Sequence, residues 1–514
     1  MKITKLMTCV FFVAFALFSE MISAQENYQS TWESVNKHNS CPEWFKDAKF
    51  GIYWYWGPYL AASFEDNDWY GRYMYASNTK TYSYHESVFG NPATWEYHKF
   101  IEGAYDKKNN YVKFEPRLKS AGGNFDPEEW IQLCADAGAK YVGPTVIFHD
   151  GFSMYHSAVN PWNSFDKGPQ LDILELFKKA IRARNLKLFT GFNNAFNVAG
   201  RPDIKESYFH YAPAHTDPGL KKLYGQMTDK EEQNYFYECL KEVIDNYQPD
   251  IMFHDFNLDA IRDSIKLKYL AYYYNQARSE GKEVVVTAKD GVQFDGIMYN
   301  YERGGADRIR FPYWQTDDAS GEKWMYASGM KYFSVKAEIA TLVDRVSKNG
   351  NLLLCIMPMA DGSIPQAQRE MLLGMGAWLK KFGEAIYYTR AWETYGEGPT
   401  KIGGGHLEVR PTEGTESDFR FTRDKTSTKL YIIGMSWPKE NLAIIKKLRR
   451  GNFDTAKITD IEFIGGESLA WKQDSEGLKI ELPVTPTHID SIAYAVKIIC
   501  KESIPLSREL PRLK

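Results

Sequence analysis

Three short runs place ionisable groups where an apolar stretch stops. Ile251-Met252-Phe253-His254-Asp255 closes on a carboxylate, and Gly296-Ile297-Met298-Tyr299-Asn300-Tyr301-Glu302 closes on another. Phe148-His149-Asp150-Gly151-Phe152 adds an imidazole and a third acid. Two carboxylates facing one cleft are the minimum equipment for cleaving a glycosidic bond. One, ionised, attacks the anomeric carbon; the other, protonated, assists the departing oxygen. Each group also has a plainer reading, since an acid at a strand end can cap a helix or pair with arginine. Asp150, ahead of Gly151, reads as a turn or structural residue, and His254 as packing behind the site. His98, His156, His210, His215, His406 and His488 show no metal-ligand spacing, and Gly403-Gly404-Gly405 lacks a following Lys-Ser/Thr. Neither a metal nor another cofactor is expected.

Such groups work together only if a frame positions them. Apolar, β-rich runs at residues 50–56, 141–148, 186–192, 251–256, 284–287, 297–301 and 352–357 alternate with segments of helical period. Asp126-Pro127-Glu128-Glu129 reads as a helix start, residues 172–184 carry one apolar stripe, and Thr228-x-x-Glu231 is a capping-box pattern. Strands without alternation, separated by helices, imply a parallel sheet. Seven or eight such units over roughly 350 residues fit an α/β fold of the (β/α)8, TIM-type barrel, with the site at the carboxyl ends of its strands. No GxGxxG or P-loop follows an early strand to argue for a doubly wound sheet. Past Trp392 the composition shifts to glycines and then to alternating strands without helices, which predicts a C-terminal antiparallel β-sandwich. The expected division is a leader at 1–24, the barrel over 25–393 and the β-domain over 394–514.

Composition narrows the partners. Lys+Arg number 63 against 66 Asp+Glu, a formal charge of −3, so no basic face is offered to nucleic acid or an anionic membrane. Aromatic residues make up 15% of the chain, and their flat faces suit sugar rings as well as cores. Lys2 and Lys5, the apolar stretch 7–18 and Ile22-Ser23-Ala24 read as a cleaved secretory signal, placing the mature chain in the periplasm or outside the cell. No later run approaches 18 apolar residues, so no membrane insertion is expected. Cys41, Cys134, Cys239, Cys355 and Cys500 are too scattered for a disulfide framework.

Several segments resemble glycoside hydrolase family 29, the α-L-fucosidases. They include Glu43-Trp44-Phe45, Phe50-Gly51-Ile52, Trp56-Gly57-Pro58-Tyr59, His149-Asp150-Gly151-Phe152 and Tyr247-Gln248-Pro249-Asp250. Asn349-Gly350-Asn351, Gly383-Glu384-Ala385-Ile386-Tyr387 and Gly434-Met435-Ser436-Trp437-Pro438 extend the match to residue 500 or so. The resemblance implies a retaining mechanism through a covalent glycosyl-enzyme, with Asp255 as nucleophile. It implies an oligosaccharide or glycan as partner. Many members carry the acid/base in Trp-Glu-Thr, but the matching segment here is Trp314-Gln315-Thr316-Asp317; glutamine cannot shuttle a proton, so Glu302 is the candidate. His149, Trp69, Tyr55, Asp68, Phe148 and Trp314 are expected around the sugar. Tyr55 and Phe148 stand where the family has histidines, and Asp68-Trp69-Tyr70 resembles its Glu-Trp-Tyr. Replacing partners of ligand hydroxyls alters specificity. Three readings follow: an exo-acting α-L-fucosidase using other contacts, an α-L-galactosidase acting on algal-type galactan oligosaccharides, or an inactive carbohydrate-binding relative.

Overall fold

Runs that are apolar at every position need cover on both faces, and here the chain supplies it by following most of them with helices. The computed structural model describes residues 27–64, 69–198, 207–405, 407 and 410–505. The leader at 1–24 and Asp68 lie outside the described residues. Eight parallel strands close a barrel: β1 (Phe50–Trp54), β2 (Tyr141–Ile147), β3 (Lys187–Phe192), β4 (Ile251–His254), β5 (Val285–Ala288), β6 (Met298–Glu302), β7 (Trp314–Ala319) and β8 (Gly350–Ile356). Each pairs with the next in sequence, and β8 returns to β1.

Among the helices are α1 (Glu43–Ala48), α2 (Pro127–Asp136), α3 (Ile173–Ala183), α4 (Asp229–Tyr247), α5 (Asp263–Ser279), α6 (Val335–Ser347) and α7 (Gln366–Phe382). Their starts follow local chemistry. Asp126 accepts from the Glu128 and Glu129 amides with Pro127 at the first helical position, and Thr228 with Glu231 forms a reciprocal capping box. The α3 stripe buries Ile173, Leu174, Phe177 and Ile181. Phe177 packs 4.7 Å from Trp54 and 5.3 Å from Trp130, ring centre to ring centre. Each such buried side chain contributes about 1.5–3 kcal/mol.

One strand has no apolar signature. β7 reads Trp-Gln-Thr-Asp-Asp-Ala, and every residue in it is buried. Its side chains alternate between lumen and helices. Into the lumen go Gln315, which donates to Asn300 Oδ1 at 2.9 Å and accepts from the Tyr141 hydroxyl at 3.0 Å, and Asp317. Toward α6 goes Asp318, whose carboxyl burial raises to about 6 against the pull of Arg345 and Arg303. The polar strand is stable because its partners come from elsewhere in the chain. Gly51 makes room for one of them: a Cβ there would lie 2.1 Å from the Tyr141 ring that reaches Gln315.

The C-terminal strands β9 (Arg390–Glu397), β10 (Phe419–Arg423), β11 (Lys429–Gly434), β12 (Leu442–Ile445), β13 (Ile458–Phe463), β14 (Trp471–Gln473), β15 (Leu478–Glu481) and β16 (Tyr494–Cys500) form two antiparallel sheets, in the orders β9-β10-β11-β16-β13 and β12-β15-β14. Barrel and β-domain together match the fold expected from the sequence. Asp344 on α6 couples them. Its carboxylate accepts from Arg420 Nε of β10 and from Lys348 Nζ, both at 2.8 Å, and from Arg345 at 3.0 Å. Burial alone would raise this carboxyl; Lys348, Arg420 and Arg345 hold it well below the usual range. Among the described residues no helix is long and apolar enough to cross a membrane.

Candidate active site

The strand ends converge on one ammonium. Lys289 stands one residue past β5, with its side chain 2% exposed, and its Nζ meets three carboxylates: Asp255 Oδ1 at 2.7 Å, Glu302 Oε2 at 2.8 Å and Asp317 Oδ2 at 3.2 Å. Asp255 follows β4, and its amide donates to Phe192 O at 3.1 Å, which extends the barrel register by one residue. Glu302 is the last residue of β6 and lies in register with Asp317 on β7. Two carboxylates side by side on neighbouring strands repel, and Lys289 is the charge that reconciles them.

One nitrogen at 2.7 and 2.8 Å from two oxygens can leave those oxygens no more than 5.5 Å apart. Retaining glycosidases place their carboxyl groups about 5–5.5 Å apart, whereas inverting enzymes need about 6.5–9.5 Å to admit water between them. The Asp255–Glu302 pair falls on the retaining side.

Charge states follow from the surroundings. Burial by itself would raise the Asp255 carboxyl; Lys289 and His149 overcome it and hold the group well below the usual carboxylate range. Burial would likewise strip the proton from Lys289, but Asp255, Asp317 and Glu302 reverse that and keep it an ammonium. Asp317 is raised by burial first and then by Glu302 and Asp255, against Lys289. Tyr53 and Asn300 donate to its two oxygens, at 3.1 and 2.5 Å.

His149 lies just past β2, its Nε2 3.6 Å from Asp255 Oδ2. Burial lowers its pKa more than Asp255 raises it, so the ring is neutral at pH 7. Phe148 stacks behind it at 4.2 Å, Trp69 lies 5.0 Å away and Phe196 4.3 Å. Its Nδ1 is buried with no hydrogen-bond partner among the described residues, a polar atom left for a ligand. Asn193, past β3, donates to Asp255 Oδ2 at 2.5 Å and to the Tyr55 hydroxyl at 3.4 Å. Trp324 closes the other side, 5.8 Å from Lys289 Nζ, 6.3 Å from the Tyr55 ring and 4.5 Å from the Arg303 guanidinium.

The structure therefore brings Asp255, Glu302, His149, Trp69, Tyr55 and Phe148 together. Phe148 serves as a backing plate, 4% exposed and packed between His149 and the Tyr59 ring at 4.5 Å. Trp314 is a correction. It opens β7 at the amino end of the barrel, three residues below Asp317 and on the outward side of the alternation. There its indole donates to Lys348 O at 3.0 Å and packs against Tyr301. It cannot reach a sugar at the carboxyl end. Asp150 and His254 are structural as expected: Asp150 accepts from the Tyr97 hydroxyl at 2.6 Å, and His254 Nε2 meets the Tyr269 hydroxyl at 2.9 Å. Lys289 and Asn193 escaped the sequence reading, and Asp317 entered it only as the end of the Trp314-Gln315-Thr316-Asp317 segment. Lys289 and Asn193 each stand one residue past an apolar strand, so the rule that located Asp255 locates them once lysine and asparagine are admitted. Asp317 carried no such signal, because its strand was not visible.

Comparison with known proteins agrees with this geometry. The family model for alpha-L-fucosidase matches residues 15–384, and that for the alpha-L-fucosidase C-terminal domain matches residues 412–499. Tissue alpha-L-fucosidase of Rattus norvegicus is 27% identical over 490 residues, covering 90% of both chains. The human tissue enzyme is 28% identical over 475 residues, covering 89% of this chain and 88% of its own. Among solved structures, the alpha-fucosidase of Thermotoga maritima in complex with fucose superposes with a TM-score of 0.71 at 27% identity, over 92% of this chain and 100% of that one. With both parts of the chain matched and the paired carboxylates at the barrel mouth, this protein belongs to the alpha-L-fucosidase family.

Proposed function

We propose that the protein is an exo-acting, retaining α-L-fucosidase that removes terminal L-fucose from glycans. Asp255 is the nucleophile and Glu302 the acid/base. The observation that carries the assignment is the single Lys289 ammonium touching both carboxylates, which fixes their oxygens within 5.5 Å. In the first step ionised Asp255 attacks the anomeric carbon while protonated Glu302 gives its proton to the leaving glycosidic oxygen. In the second, Glu302 takes a proton from water, the water oxygen attacks the same carbon, and the Asp255 ester bond breaks. Two inversions return the sugar with its original configuration.

Each neighbour has a task in this scheme. Lys289 and Asn193 hold Asp255 ionised and aimed. Asp317, the third carboxylate, balances Lys289, so that Glu302 can carry a proton without leaving the ammonium short of negative charge. Neutral His149 presents its unpaired Nδ1 to a sugar hydroxyl, with Trp69 as the stacking face. Assembly of this whole set supports turnover over mere binding.

A second reading, α-L-galactose as the cleaved sugar, is favoured by Tyr55 and Phe148 at positions where the family has histidines. L-galactose differs only by a hydroxyl on the carbon that is a methyl in fucose. Side-by-side kcat/KM on 4-nitrophenyl α-L-fucoside and α-L-galactoside separates the two, and release from neither, with natural glycans also intact, would reject both. We also propose export, through the basic and apolar residues 2–24. Edman sequencing of the mature chain should begin near Gln25, and a retained Met1 would refute it.

A further inference from the structure

The opposite end of the barrel carries a second feature that the hydrolytic scheme does not use. A cavity of about 360 Å3 opens beneath the amino ends of β1, β8 and β7, walled by α1 on one side and by β9 and β10 on the other. Its charge is one-sided. Lys46, Arg390, Arg423 and Lys425 line it, and the acids paired among them are Glu43 and Asp47. Glu43 takes Lys46 at 2.8 Å and Arg390 at 2.5 Å, while Asp47 takes Arg390 at 2.9 Å and Lys425 at 2.6 Å. These two carboxylates are thus already shared among three cations.

Among the described residues Arg423 is left with backbone and hydroxyl oxygens only, Asp424 O at 3.1 Å and Ser427 Oγ at 2.9 Å, both on Nη1. It also sits directly opposite Arg390 in the β9–β10 register. Like charges at a cross-strand pair are destabilising, and this fold keeps two guanidiniums there. Two buried groups add to the demand for an anion or hydroxyl. Asn349, 1% exposed in the cavity floor, has a side-chain nitrogen with no acceptor, and Lys49 Nζ, fully buried behind the Tyr313 ring at 5.5 Å, has none either. At the rim Phe311 is 63% exposed, a large apolar face with no cover.

We propose that this cavity binds an anionic saccharide, its sulfate or carboxylate held by Arg423 and its ring face on Phe311. Guanidinium forks match planar and tetrahedral oxyanions in a way that ammonium groups do not. An aromatic face at the rim adds the selectivity for a ring that a bare ion lacks. The site stands apart from Asp255 and Glu302, at the other end of the strands, and does not depend on which sugar they release.

Calorimetric titration of the full chain with galactose 6-sulfate, glucuronate, galactose and inorganic sulfate tests it. At least one charged sugar should bind tenfold or more tightly than galactose, and the tighter of the two names the anion. Arg423→Gln should weaken that binding at least tenfold, and Phe311→Ser should weaken the charged sugar but not inorganic sulfate. Exposed Lys425→Gln serves as a second charge variant if Arg423→Gln lowers the melting temperature. Hydrolysis of 4-nitrophenyl α-L-fucoside should be unchanged in Phe311→Ser. Equal affinity for charged and neutral sugars, no binding of any probe, or binding indifferent to Arg423→Gln and Lys425→Gln overturns the site. Inorganic sulfate binding as tightly as galactose 6-sulfate overturns the saccharide assignment.

Discussion

Replacing Asp317 by Asn isolates what the third carboxylate does for Glu302. The side chain keeps its size, and its oxygen can still accept from Asn300, but the negative charge is gone. Lys289 Nζ lies 2.8 Å from Glu302 and 3.2 Å from Asp317, so those oxygens are no more than 6.0 Å apart. At an effective dielectric of about 20, two unit charges at that distance repel by about 2.8 kcal/mol, equivalent to about 2 pKa units. Asp317 carries its charge only part of the time, because burial and its neighbours raise it, and the partly exposed Glu302 is screened by water. About 1 unit is therefore the expected effect. Its direction follows from the sign: losing a neighbouring anion favours the ionised form of the acid/base, so the alkaline limb of kcat/KM moves to lower pH. The assay is the pH profile of kcat/KM on 4-nitrophenyl α-L-fucoside, with thermal melting to show that the variant is folded. An alkaline limb that stays put, or moves upward, in a folded variant would mean that the Asp317 charge does not act on Glu302.

Other perturbations separate the site from its scaffold. Lys289→Met removes the main group that depresses Asp255, so the acid limb should move to higher pH and turnover should fall. Leaving the carboxylates unbalanced should cost about 3–5 kcal/mol in urea unfolding, and an unchanged acid limb would contradict the role given to Lys289. Trp314→Phe deletes the hydrogen bond to Lys348 O at the far end of the strand and part of the ring packed against Tyr301. It should cost about 1–3 kcal/mol of stability with KM within twofold of the parent, whereas a large rise in KM would return Trp314 to the sugar. Asp344→Ala strands Arg345, Lys348 and Arg420 without their shared anion and should destabilise by about 3–5 kcal/mol. Because the folded carboxyl is depressed, its contribution is complete above about pH 4 and fades as pH falls toward the folded value. The stability gap between parent and Asp344→Ala should therefore narrow in acid, and a constant gap would be inconsistent.

Much of this architecture is written in local chemistry. The apolar runs became β1 to β6 and β8, shifted by a residue or two at their ends, because strands covered on both faces have no polar positions to confuse them. Asp126 and Thr228 began their helices as their side chains dictate. Asp255, Glu302 and His149 were visible because a polar residue straight after an apolar strand has to face the barrel mouth. β7 was invisible for a reason that is tertiary. Gln315 and Asp317 are acceptable inside the lumen only because Tyr141, Asn300, Tyr53 and Lys289 arrive from other strands to satisfy them, and no window of sequence contains those partners. The same gap misplaced Trp314. As a member of a motif it lay near the chemistry in sequence; as the first residue of a strand it lies at the wrong end of the barrel and points outward.

The central claim is that Asp255 forms the covalent bond. Incubation with 2-deoxy-2-fluoro-α-L-fucosyl fluoride, followed by proteolysis and mass spectrometry, examines that bond itself, since the fluorine slows its hydrolysis. One added fluorofucosyl mass is expected on the peptide that contains Asp255, absent in Asp255→Asn. A stable adduct on any other residue, or steady hydrolysis of the natural substrate by Asp255→Asn, would contradict it.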